Sequence, residues 1–266
     1  RNKNAASGMM DPQYARAAAI SDGAGSSIVI AAVDCIGLSR SGVTKIRALA
    51  ADVIKEYGLS AVHIMSTHTH AGIDTLGLWG PSAGVTGLSE KFMETVYEGT
   101  ARAIRLACAG LREGTLYYGY AVTDGLQRDS RLPEIFSTKL HRFRFVPADG
   151  SAGLQMISYG AHAESLRSEN SKVSADYPAY MGRKITRETG DEFMFIAGAV
   201  GGLISTNRLK DGDGNEYPVE ENVVMTGERL ADAVLGIDNE RLLEPSVSSK
   251  TKVFRISLDN QAYIAL

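Results

Sequence analysis

Histidine is scarce in this 266-residue chain, with five in all, and cysteine scarcer still, with two. Both cysteines sit in apolar settings, "AVDCIG" and "RLACAG". That pattern reads as two buried thiols, argues against a disulfide framework and leaves the redox compartment open. A surplus of one charge is lacking too. The formal net charge is −3, with no long basic run and no acidic tail, so nucleic acid and anionic membranes are not favoured partners. No apolar stretch reaches the ~20 residues of a spanning helix, and no signal peptide is recognisable. Internal repeats, low-complexity tracts and clear linkers are absent as well. What remains is 44% hydrophobic and 22% charged, enough to bury a substantial core as one large or two small domains. The chain starts at Arg1 without a methionine, consistent with a removed leader. It stops on "NQAYIAL", an apolar strand-like run with no polar tail, which reads as a domain cut short.

The residues that are present spell out an α/β pattern. "SSIVIAAVDCIG" (26–37) is an unbroken apolar run rich in β-branched residues, the signature of a strand covered on both faces. "SRSGVTKIRALAADVIKEYG" (39–58) follows with helical spacing through Val43, Ile46, Ala50, Val53 and Ile54, and closes at Gly58. "SAVHIMSTH" (60–68) predicts a second strand, and a βαβ unit of this length makes the two strands parallel. Ligands of open α/β sheets gather beyond the carboxyl ends of such strands, where Asp34 and His68 fall. Farther on, the spacing predicts a helix over 89–111 with Ser89 as N-cap and Gly110 near its end. A strand over 114–122 and a hairpin of 138–146 with 153–162 come next. A helix from about Tyr177, a strand "EFMFIAG", a glycine-rich turn "GAVGG", a helix over 219–236 and a last strand over 250–259 complete the chain. The expected fold is α/β, with mixed sheets beginning at a parallel βαβ unit and helices packed outside.

Two of the few histidines stand one residue apart in "STHTHAGID" (66–74). On an extended backbone, residues two apart point to the same side at roughly 7 Å, so His68 and His70 could reach one site. Imidazole is a common neutral ligand for zinc, and catalytic zinc needs three protein ligands with a fourth position open. The alternative is a pair of polar residues where a strand frays into a loop. His63 lies within the strand between Val62 and Ile64, and His141 alternates with Phe143 and Phe145, so both read as hydrogen-bonded core histidines. His162 closes the apolar strand "LQMISYGAH" and enters the polar "AESLRSEN", a strand-end position like that of His68. It is the candidate ligand from a distant part of the chain.

Together these segments resemble the N-terminal domain of the neutral/alkaline non-lysosomal ceramidases, a family of zinc-dependent amidases, along nearly the whole chain. "DPQYARAAAISDG" is similar to the family's early segment, and "VDCIGLSR" to the end of its first strand. "THTHAG" resembles its His-Thr-His-Ser-Gly signature. "GAHAESL" followed by "VSADYPAYM" resembles the segment with the next histidine ligand and a Ser-Asp pair. The resemblance implies one domain over 1–266 that continues beyond the last residue, and zinc bound by His68 and His162. It makes His70 a site histidine that holds the substrate or the attacking water. It places Arg128, in "GLQRDSR", facing the reacting carbonyl, and it implies a secreted or cell-surface setting.

Two departures bear on the chemistry. Where the family carries Gly-Asp-Val-Ser-Pro-Asn with a catalytic serine, this chain has "VGGLISTN", without aspartate or proline. Ser205, the candidate nucleophile, reads one residue out of register and is expected to be redirected, with an ordinary loop residue as the alternative. The family's remaining zinc ligands, a glutamate and a tyrosine, lie beyond residue 266. Zinc in such a site lowers the pKa of bound water and polarises a carbonyl, while an arginine stabilises the oxyanion. Asp34 and Asp176 are candidates to orient ligand imidazoles, Asp34 equally a capping residue, and Asp129 and Arg131 read as a surface pair. "DGDGNEY" (211–217) departs from the EF-hand spacing and reads as an exposed turn. The implied activity is hydrolysis of an N-acyl amide, a ceramide-like lipid or a related small molecule. The alternatives are a zinc hydrolase using metal-bound water on another amide or ester, and a binding module that keeps the pocket without turnover. Compartment and oligomeric state are not set by these residues.

Overall fold

The computed structural model describes residues 6–82, 84–254, 257 and 259–261. Along the chain come β1 (Gly8–Met9), β2 (Ala15–Ser21), β3 (Ser27–Val33), α1 (Arg40–Leu49), α2 (Ala51–Glu56) and β4 (Leu59–Ser66). They are followed by α3 (Glu90–Ala109), β5 (Gly114–Val122), β6 (Gln127–Asp129), β7 (Lys139–Pro147) and β8 (Leu154–Tyr159). The remainder holds β9 (Lys172–Val173), α4 (Tyr177–Thr189), β10 (Glu192–Ala197), β11 (Ile204–Thr206), α5 (Val219–Leu235) and β12 (Arg241–Leu242).

The period-2 alternation of the strands sorts their side chains into separate layers. In β3, Val29 and Ala31 face one way and pack with Ile46 of α1 and Ala101 and Ile104 of α3. Ala32 and Ile30 face the other way, against Met156 of β8 and Met194 of β10. Those two strands send their alternate residues, Ile157, Tyr159, Phe193 and Phe195, onto Met181 and Ile185 of α4 and Leu230 and Val234 of α5. The result is two sheets packed face to face, with helices on both outer surfaces, as expected. One sheet has the order β2-β3-β4, the other β10-β8-β7-β5-β12. Ile46, Ile157 and Leu230 are fully buried, and each such side chain contributes about 1.5–3 kcal/mol.

Both sheets contain a parallel pair joined by a helical crossover. β3 pairs with β4 across α1 and α2, and β8 pairs with β10 across α4. The first crossover is divided at Ala50 (φ −99°, ψ 12°), although its N–H still donates to the Ile46 carbonyl at 3.0 Å. It is a bend, not a break. Ser39 caps α1 by accepting from the Gly42 N–H, and Ser89 caps α3 by accepting from the Phe92 N–H. The Asp176 side chain accepts from the Tyr177 N–H at the start of α4. β2, an alanine-rich strand antiparallel to β3, was not anticipated as a separate strand. The last strand expected over 250–259 is not formed at 250–254, while 255, 256 and 258 lie outside the described residues.

Candidate metal centre and adjoining cleft

The carboxyl ends of β4 and β8 meet at one rim. Thr69 and Ala163 form an isolated parallel bridge there, and the His70 N–H donates to the Ala163 carbonyl at 3.0 Å. A second parallel bridge joins His162 to Ser205, with the His162 N–H donating to the Ile204 carbonyl at 2.9 Å. Short backbone pairings thus splice the ends of the two sheets and β11 together around the histidines.

His68, His70 and His162 converge despite their separation in sequence, each offering one ligand atom, with those atoms within 4.8 Å of one another. Ring centroids lie 4.9 Å apart for His68 and His70, 4.8 Å for His68 and His162, and 5.2 Å for His70 and His162. The local conformation differs from the extended one expected. His68 adopts φ 63°, a left-handed conformation rare outside glycine and often found at functional sites. The His-Thr-His pair therefore meets through a local turn.

Each ring has an acceptor at Nδ1. His68 Nδ1 donates to the Ile36 carbonyl at 2.7 Å and His162 Nδ1 to the Ile204 carbonyl at 2.6 Å. His70 Nδ1 lies 3.2 Å from Glu164 Oε1. A donor proton on Nδ1 leaves Nε2 with its lone pair free for a metal, the tautomer that metal-ligating histidines use. His68 and His70 bring their Nε2 atoms to 3.4 Å. Burial, opposed by the Ile36 carbonyl and reinforced by the two neighbouring imidazoles, holds His68 below the ordinary histidine range. The group could hold a metal ion, and its donor set suits one.

The aspartates expected to orient these rings do other work, which corrects that reading. Asp34 accepts from the Tyr14 N–H at 2.9 Å and from Arg16 at 3.0 Å. Asp176 accepts from the N–H groups of Ser165, Leu166 and Tyr177 at 3.0, 3.0 and 2.7 Å. Burial raises both carboxyls above the usual aspartate range, against the pull of Arg16 on Asp34 and of those N–H donors on Asp176. Two carbonyls and Glu164 orient the imidazoles instead. A carbonyl acceptor leaves no mark in a sequence, but Glu164 stands two residues from His162, the same spacing as His68 and His70.

Beside the histidines opens a cleft of about 400 Å³ lined by Arg128, Glu164, Arg167, Leu203, Ser205 and Arg208, among others. Arg128 and Ser205 are register partners in the antiparallel pair β6–β11, so their side chains stand together on one face. Counted from Gly202, Ser205 is fourth in Gly-Leu-Ile-Ser-Thr-Asn. The serine of Gly-Asp-Val-Ser-Pro-Asn is fourth as well. The expectation that the turn redirects Ser205 is therefore corrected: it lines the cleft and its backbone adjoins His162. Gly201, at φ 55°, makes the preceding turn in a conformation glycine adopts without strain. Asp129 accepts from the Arg131 backbone N–H at 3.0 Å. His63 and His141 are hydrogen-bonded as expected, with Ser249 Oγ at 3.2 Å and Tyr118 OH at 2.8 Å, but both are half-buried and not core residues.

Residues 1–208 match the family model described as neutral/alkaline non-lysosomal ceramidase, N-terminal. The chain belongs to this family. The matched span includes His68, His70, Arg128, His162 and Ser205. A curated neutral ceramidase of Pseudomonas aeruginosa is 25% identical over 181 residues, covering 60% of this chain and 27% of that protein. A solved neutral ceramidase from Pseudomonas aeruginosa superposes with a TM-score of 0.73 at 21% identity, over 86% of this chain and 40% of the other. A ceramidase complexed with C2 gives 0.72 at 22% identity, over 89% and 40%. The chain thus has the fold of neutral ceramidases and spans about a quarter of the curated relative's length.

Proposed function

We propose that this chain carries the histidine side of a zinc-dependent amidase centre that cleaves an N-acyl amide of the ceramide type. The carrying observation is the convergence of three imidazoles, each with Nδ1 against an acceptor. His68 and His162 would hold the metal, and His70 differs from both in having a carboxylate at Nδ1. That carboxylate orients the His70 ring toward the cleft, where His70 would serve the departing amine as the proton-transfer group. Zinc, when bound, supplies a Lewis acid for the carbonyl and a means of ionising a coordinated nucleophile. Arg128 offers a planar, permanently charged fork to the oxygen on which negative charge develops. Ser205, its cross-strand neighbour, presents a hydroxyl to the same substrate carbon.

Family membership supports hydrolysis of an amide, while zinc, the residue roles and a secreted or cell-surface setting belong to this proposal. Among the described residues no helix is long and apolar enough to cross a membrane. The test uses the full-length protein, with metal content measured by mass spectrometry and hydrolysis followed on N-acylsphingosine and short N-acyl amides. Stoichiometric zinc, lost together with activity in His68→Ala and His162→Ala, is the expected result. Metal-free protein with undiminished hydrolysis would overturn the reading.

A further inference from the structure

The cleft beside the histidines holds more positive charge than one oxyanion requires. Arg128, Arg167 and Arg208 all line it, facing the carboxylates of Glu164 and Glu169. Those carboxylates are engaged: Glu164 lies against His70 at 3.2 Å, and Glu169 pairs with Arg208 at 2.5 Å. Arg208 also takes Glu216 at 2.9 Å. Among the described residues, Arg128 and Arg167 form no ion pair. Arg167 is further constrained, with its backbone at φ 51° and its Nη2 donating to the Thr206 carbonyl at 3.3 Å. Its Nε is buried without a hydrogen-bond partner. Burial first, then the like charges of Arg128 and Arg208, push its guanidinium below the ordinary arginine range. A strained, half-buried cation facing another cation is what an anion relieves.

We propose that Arg167, standing beside the oxyanion-facing Arg128, forms a carboxylate subsite, so that the preferred amides carry a carboxylate on their amine portion, as N-acyl amino acids do. This deepens the amidase reading and rests on it. Position selects the amine side. Ser205 and Arg128 stand at the mouth of the histidine group, and Leu203 is the sole apolar residue among the described lining of the cleft. An acyl tail gains little there, whereas a compact charged head meets a planar guanidinium fork suited to bidentate pairing. The same chemistry could instead serve the fatty carboxylate released as product, and the test separates the two.

The full-length protein is offered N-hexanoylglycine and N-hexanoylethanolamine, which share an acyl chain and differ in the carboxylate. The expected ratio of kcat/KM is at least about tenfold in favour of the glycine amide, shrinking in 0.5 M salt as screening sets in. Arg167→Gln brings the ratio to within about twofold of unity, and Arg167→Lys, which keeps the charge, restores part of it. Calorimetric titration of both amides into His162→Ala protein repeats the comparison without turnover. If neither amide is hydrolysed, the amidase reading fails, and the titration alone decides the subsite. If Arg167→Gln does not fold, the salt dependence and Arg167→Lys decide it. Equal kcat/KM and equal binding of the two amides would overturn the proposal. So would hexanoate binding as tightly as N-hexanoylglycine, which assigns Arg167 to the product.

Discussion

Asp176→Ala removes one small carboxylate from the interior and is expected to cost far more than its size suggests. Three N–H groups, of Ser165, Leu166 and Tyr177, lose their acceptor at once. A buried donor left unpaired costs roughly 1–3 kcal/mol, which gives about 3–9 kcal/mol if nothing relaxes. Part of this is returned, because burial already disfavours the charged carboxylate and raises Asp176 above its ordinary range. The backbone at φ 59°, ψ −157° lies in a region that is costly for every residue but glycine, so it does not separate alanine from aspartate. A net loss of about 3–5 kcal/mol follows, a large share of the roughly 5–15 kcal/mol that holds a domain together. Asp176→Asn keeps one acceptor oxygen, so it should cost about half as much. Urea unfolding followed by circular dichroism measures both. A loss below about 1 kcal/mol in the alanine variant would refute the reasoning, because the loop carrying Glu164 and Arg167 would then not depend on this carboxylate.

Ser205→Ala in the full-length protein should lower kcat by several orders of magnitude, the cost of removing an attacking atom. A loss below tenfold would return Ser205 to an ordinary cleft residue. The Asp34 carboxyl is raised in the fold, so its contribution is fully present below the unfolded pKa and is lost as pH rises through the folded one. The stability advantage of the natural protein over Asp34→Asn should accordingly shrink between pH 4 and pH 7, and urea melts at both values check the sign. Burial pushes the Cys35 thiol up to about 11, and Cys108 is buried as well. Both should resist a thiol reagent at pH 8 until urea unfolds the chain. Rapid labelling of the native protein would contradict their placement.

Much of the scaffold was legible because its signals are local. The apolar run of β3, the helical spacing of α1 and the Ser89 cap of α3 each reside in a few neighbouring residues. The strand-end histidines were legible for the same reason, since position in a βαβ unit dictates which rim they face. β2 was missed because alanine has weak strand preference, and its pairing with β3 is a tertiary choice. The acceptors for His68 and His162 were illegible in principle, being backbone carbonyls. The left-handed conformation of His68 arises from packing that no pattern encodes. Ser205 was misjudged because the stretch was read one residue out of register, and the missing proline then reinforced that misreading.

The splice of backbone bridges at the rim also makes the histidine group a clock. Residues 68, 163, 205 and 128 come side by side only through pairings that close long loops, and such contacts form slowly. Neither βαβ unit can assemble the group alone. A metal ion would therefore find its ligands at the end of folding, and the appearance of metal binding during refolding would time the arrival of the last element.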